Sequence, residues 1–121
     1  MSRFDFHVLG KEVRIFLKGE AKESYALLQE RKDKEAKSIL NSFERAKELL
    51  KQNPQYGDPV SKRLIPDSLL KLGIQNLYRI ELSNYWRMLY TLEGNQIEIF
   101  VFVLNIVDHK DYNKFFGYKQ N

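Results

Sequence analysis

The sequence contains no cysteine, which excludes disulfides, thiol catalysis and cysteine-ligated zinc or iron–sulfur centres and is compatible with a reducing cytosol. It has only three prolines, all between Pro54 and Pro66, so the strongest chain breakers are concentrated in one loop. There is no glycine-rich phosphate loop and no nucleotide-binding signature, and no cofactor or metal is expected. No apolar run approaches the length of a membrane span, and the opening MSRFDFHVLG lacks the apolar stretch of a signal peptide. Those two absences predict a soluble, cytoplasmic chain with no membrane partner.

What is present suffices for one compact domain over residues 1–121, with 43% hydrophobic residues to build a core. The net charge of +4 permits an anionic partner without demanding one. The excess is local: from residue 62 to residue 87, Lys62, Arg63, Lys71, Arg79 and Arg87 face only Asp67 and Glu81.

Along the chain, VRIFLK alternates as a strand, with Val13, Ile15 and Leu17 on one side and Arg14, Phe16 and Lys18 on the other. FDFHVL before it could extend the strand or form an arm, and Gly19 ends it. Residues 20–52 contain no Pro or Gly, and Ala36, Ile39, Leu40, Phe43, Ala46, Leu49 and Leu50 recur at the spacing of one helical face. Ala21, Tyr25 and Leu28 do the same earlier. The polar run from Glu30 to Glu35 favours two antiparallel helices over one long helix, with Asp33 as N-cap of the second. NPQYGDPVSKRLIP reads as an ordered surface loop, and IPDSLLKLGI adds a helical turn capped by Asp67 or Ser68. The predicted class is α+β, in the order β-α-α-β-β-β, with a helical hairpin packed on one face of a mainly antiparallel four-stranded sheet.

The stretch from Leu77 to Tyr112 organises the rest: three strand-like runs, two tight turns, then His109. Its register can be counted. A two-residue turn at Ser83-Asn84 would set Arg87 opposite Ile80 on the apolar face. A three-residue loop of Ser83, Asn84 and Tyr85 instead pairs Leu82 with Trp86, Ile80 with Met88 and Tyr78 with Tyr90, and sends Arg87 and Glu81 to the other face. Gly94-Asn95 then serves as the second turn and directs Ile97, Ile99, Val101 and Val103 to the buried side. The opposite, open face carries Arg79, Glu81, Arg87 and Leu89 with Phe100, Phe102 and Leu104.

The paired runs NLYRIEL and YWRMLYTLEGNQIEIFVFVL, followed by DHKDYNKFFGY, resemble the RelE/ParE toxin superfamily of toxin–antitoxin systems. There an aromatic-basic-aliphatic strand turns into one reading Tyr-Arg-aliphatic-aliphatic-Tyr, and an apolar strand leads to a His or basic residue. The three-residue loop accommodates Tyr85-Trp86-Arg87, where many members have Tyr-Arg. The resemblance implies a toxin that cleaves mRNA on the ribosome as a metal-free endoribonuclease, an mRNA interferase inhibiting translation, and is neutralised by a cognate antitoxin. ParE-like members share the fold but inhibit DNA gyrase, and a member that only binds its antitoxin is a third alternative. By position, Arg79 and Arg87 match residues that contact RNA phosphate, Lys62 and Arg63 match a basic segment before the second strand, and His109 matches a catalytic His. Tyr112 and Tyr118 are the candidates for the family's terminal aromatic residue. Glu81 departs from the pattern, because RelE has a basic residue there. No oligomeric state follows from any of this.

Metal-free RNA cleavage needs the 2′-hydroxyl deprotonated, the leaving 5′-oxygen protonated and the phosphate charge offset. Arg79 and Arg87 suit a fork on phosphate oxygens. His109 is the natural proton donor. Glu81 or a tyrosine such as Tyr112 is the candidate base, Tyr85 can stack on a splayed base, and Lys110 adds positive charge. Each residue also has a plain reading. Arg87 and Glu81 can be a cross-strand ion pair, and His109 and His7 can be surface residues. Lys110, Lys114 and Lys119 can be a solvated basic terminus. Phe115, Phe116 and Tyr118 form a plug on the sheet, and Phe100 and Phe102 are either buried by that plug or free to dock an antitoxin helix.

Overall fold

The computed structural model describes residues 11–117; His7, the FDFHVL run, Tyr118 and Lys119 lie outside the described residues. The alternation of VRIFLK forms β1 (Glu12–Leu17). Gly19, at φ +45°, turns the chain into α1 (Gly19–Glu30), a backbone conformation that glycine adopts without steric cost. Arg31 to Asp33 break the helical run as expected, and α2 spans Lys34–Gln52. Its N-cap is Asp33, whose carboxylate accepts from the Ala36 amide at 3.2 Å. Ala36, Ile39, Phe43, Ala46 and Leu50 are buried along one face of α2, and Ala21 and Leu28 of α1 complete the helical layer.

The proline loop holds a two-residue strand, β2 (Asp58–Pro59), a 3-10 turn (Lys62–Leu64) and the single turn α3 (Asp67–Leu70). Neither Asp67 nor Ser68 caps α3: the N-cap position is Pro66 and no side chain bonds there. The meander follows as β3 (Tyr78–Glu81), β4 (Arg87–Gly94) and β5 (Glu98–Val107). After it comes α4 (His109–Phe116), a helix that the expected β-α-α-β-β-β order lacks.

The sheet is five-stranded and mixed, in the order β1-β5-β4-β3-β2, which corrects the expected four-stranded arrangement. β2 was missed because two residues, one of them proline, carry no alternation. β1 runs parallel to β5, with Ile15 opposite Val101. The counted register of the first hairpin is the observed one: Tyr78 faces Tyr90, Ile80 faces Met88, and Glu81 faces Arg87. The second turn differs from expectation. Gly94 still pairs with Ile99 and the Asn95 amide bonds Glu98 O at 2.9 Å, so Gln96 and Ile97 are the loop. Asn95 Oδ1 accepts from the amides of Ile97 and Glu98 at 2.7 and 2.8 Å, which stabilises the later turn. Ile97 is therefore exposed, not buried.

β5 contains a bulge: Tyr90 pairs with Val103 but Leu89 with Asn105. In an unbroken register Asn105 would oppose Met88 in the helix-side core. The extra residue turns Asn105 to the other face, sets Ile106 opposite Met88 and Val107 opposite Arg87. Two cores result. One, between the sheet and α1 and α2, contains Phe43, Ile80, Met88, Tyr90, Val101 and Ile106. The second lies on the face expected to be open, where α4 and the α3 segment bring Tyr112, Ile65, Leu69 and Leu77 onto Leu89, with Phe115 and Phe116 alongside. Phe115 and Phe116 of the expected aromatic plug do pack on this face, on its β3–β4 half. Phe100 and Phe102 stack on each other at 6.1 Å and pack with Phe16 of β1. Among the described residues no helix is long and apolar enough to cross a membrane.

Candidate functional site

Period-two alternation lifts Arg79, Glu81 and Arg87 onto the face away from α1 and α2. The bulge then decides what meets them. It carries β5 to Val107 opposite Arg87, and Asp108 caps α4 by accepting from the Asp111 amide at 2.8 Å. The first turn of α4 is thus set down beside the two arginines.

Tyr112, 4% exposed, sits between them. Arg79 Nη1 donates to its hydroxyl at 3.4 Å, and Arg87 Cζ lies 4.7 Å from its ring centre. Arg79 Cζ is 6.0 Å from the same ring. One buried ring therefore positions two cations, each contact being worth about 0.5 to 2 kcal/mol. Arg79 Nη2 is 3.6 Å from Asp58 Oδ2, and Arg87 Nε is 4.0 Å from Glu81 Oε2. Both separations are ion pairs too long for a hydrogen bond. The Tyr112 hydrogen bond foremost, aided by the charge of Glu81 and opposed by burial, holds the Arg79 guanidinium above its ordinary range. The Nε atoms of both arginines are buried without a hydrogen-bond partner. Unmatched buried donors on a cation cost about 1 to 3 kcal/mol each, and being buried, these two Nε atoms are not themselves open to an outside acceptor.

His109 and Tyr85 form the rim. The exposed His109 ring meets the Tyr85 ring edge-on, with centroids 6.1 Å apart. Tyr85 is 77% exposed at the hairpin tip. It and Asn84 adopt φ of +62° and +59°, left-handed values that cost a tyrosine about 1 kcal/mol or more. α2 clamps the strained tip: the Ser83 amide donates to Ser42 Oγ at 3.1 Å, and Ser38 Oγ donates to Ser83 Oγ at 2.9 Å. Lys110 stands exposed beside His109 in the first turn of α4.

The structure thus brings together Arg79, Glu81, Arg87 and Tyr112, with His109, Tyr85 and Lys110 at the edge. Lys62 and Arg63 stay apart, exposed on the 3-10 turn. Lys62 lines a cavity of about 640 Å³ with Gln55, Asn76, Thr91 and Glu93. That cavity is not the site. Asn76 Oδ1 already accepts from the Leu92 amide at 2.8 Å and from Thr91 Oγ1 at 2.9 Å, which uses its central polar groups internally. A smaller cavity of about 380 Å³ does reach the cluster, lined by Tyr56, Asp58, Arg79 and Glu81. The sequence reading missed Asp58, Ser38, Ser42 and Asp108. Only Asp108 left a signal, the Asp-x-x-Asp spacing of an N-cap ahead of an apolar face. Among the described residues no group of three or more His, Asp or Glu could hold a metal ion. Comparison with family models, with curated proteins and with solved structures finds no match for this chain.

Proposed function

We propose that this chain is a RelE-like toxin, an endoribonuclease that cuts mRNA on the ribosome, and that a cognate antitoxin restrains it. One observation carries the reading: two guanidinium groups from adjacent strands are oriented by one buried tyrosine, Tyr112, and the helix that supplies it begins at the exposed His109. In the proposed reaction Arg79 and Arg87 hold the scissile phosphate and offset charge in the transition state. Glu81, 64% exposed at its side chain, takes the proton of the 2′-hydroxyl. The 2′-oxygen bonds to phosphorus as the bond to the 5′-oxygen breaks, and His109 gives its proton to that leaving oxygen. The product ends are a 2′,3′-cyclic phosphate and a 5′-hydroxyl. Tyr112 is too buried to touch RNA and acts as a positioning residue. Lys62 and Arg63 take no part in the cluster, and Tyr85 is placed to stack on a base.

The cluster is a shallow surface, which also suits a toxin that blocks a macromolecule such as DNA gyrase without chemistry. A cell-free translation reaction with primer extension on the message separates the two. Wild type is expected to produce discrete cuts, His109→Ala to slow them roughly a hundredfold, and Arg87→Ala to slow them at least as much with the melting temperature little changed. Uncut messages, or equal cutting by His109→Ala, defeat the assignment.

A further inference from the structure

A second surface lies at the far edge of the sheet. β1 ends the strand order, and no strand among the described residues pairs with its outer side. The Glu12 amide bonds Ile97 O at 3.0 Å and the Lys18 amide bonds Val103 O at 2.9 Å. Even-numbered residues therefore direct their backbone groups into β5, and the N–H and C=O groups of Val13, Ile15 and Leu17 point outward. Edge strands of soluble proteins are usually blunted by proline, a bulge or a charge that repels a partner. β1 has no proline and no bulge, its Cα register with β5 runs unbroken from Glu12 to Leu17, and its charges are arranged differently.

We propose that two copies of this chain pair through β1, antiparallel about a two-fold axis at Ile15, to form one continuous sheet. In that register Ile15 faces Ile15 and Val13 faces Leu17, so all three outward-pointing residues of each copy exchange hydrogen bonds. The residues between them form the closer, non-hydrogen-bonded pairs. Glu12 then stands opposite Lys18 of the second copy, and Arg14 opposite Phe16, each pair occurring twice by symmetry. Opposite charges face each other and a guanidinium meets an aromatic ring. Lys18 has the extended backbone this requires, with φ −120° and ψ 146°. Registers shifted by two residues lose the Glu12–Lys18 pairs and one row of hydrogen bonds. Phe16, 41% exposed, with Phe100 and Phe102 behind it, gives the junction an apolar centre. This inference is independent of the nuclease reading.

Light scattering on the full chain, over the micromolar range, tests it. Wild type is expected at twice the 14.4 kDa of one chain. Glu12→Lys and Lys18→Glu each place like charges opposite each other and should weaken association roughly tenfold. The combined Glu12→Lys/Lys18→Glu variant restores opposite charges and should restore the dimer. Circular dichroism confirms that each variant is folded. A wild-type monomer overturns the proposal, whether the edge is left bare or covered by residues 1–10. A dimer indifferent to both single changes overturns it as well, since pairing elsewhere would be responsible.

Discussion

At the scale of single residues, the candidate site contains side chains held at a local energetic cost. Arg79 and Arg87 keep buried Nε donors unmatched, and Tyr85 occupies a left-handed conformation while 77% exposed. An exposed tyrosine gains little burial energy in return for such strain, and strained backbone collects at functional positions. Replacing Tyr85 by glycine separates stability from activity. Tyr85→Gly is expected to raise unfolding stability by about 1 kcal/mol and to reduce RNA cleavage by several-fold through loss of the stacking surface. Chemical denaturation and the translation assay measure the two effects. Unchanged cleavage would return Tyr85 to a purely structural place. His109 lies on the same rim, and its edge contact with Tyr85 would be lost in the same variant.

At the scale of elements, alternation and helical periodicity were the legible signals. They placed β1, the two long helices, the three-residue hairpin loop and the face shared by Arg79, Glu81 and Arg87. They failed where one residue changes parity or where an element is too short to have a period. The bulge at Leu104–Asn105 is invisible to a strict count of alternation, yet it sets Val107 opposite Arg87 and so brings α4 to the site. β2 has two residues, and its Asp58 reaches Arg79 only through the fold. The cap of α2 was read correctly and makes a pH-dependent prediction. Bonds from Arg31 foremost, with the Ala36 amide helping, lower the Asp33 carboxyl from 3.8 to about 2. A group depressed in the folded state contributes stability above its unfolded value and loses it as pH falls. Helix stability should therefore decline as pH drops from about 3.8 to about 2 in wild type. In Asp33→Asn, which still caps but cannot titrate, that component should vanish. Denaturation midpoints followed by circular dichroism across this range test it, and parallel acid profiles would contradict the role given to Asp33.

At the scale of the whole molecule, the sheet separates two kinds of surface. One face is sealed by α1 and α2 over the larger core. The other is divided: α4 and the α3 segment close the β3–β4 half around Tyr112, while the β1–β5 half carries the exposed Phe16 packed against the half-buried Phe100 and Phe102. The sequence predicts an aromatic plug on that second face but not which half it covers, because the N-cap at Asp108 and the helix after it carry too weak a signal. Closing half of it is what turns two arginines from cross-strand partners into a preorganised cluster, since Tyr112 orients both. The functional account rests on that cluster performing the transfer to a 2′-oxygen. The most direct measurement is the chemistry of the ends made when the purified chain acts on a translated message. A 2′,3′-cyclic phosphate on the upstream fragment and a 5′-hydroxyl on the downstream one are the predicted result. A 3′-hydroxyl with a 5′-phosphate, or an uncut message, would contradict it.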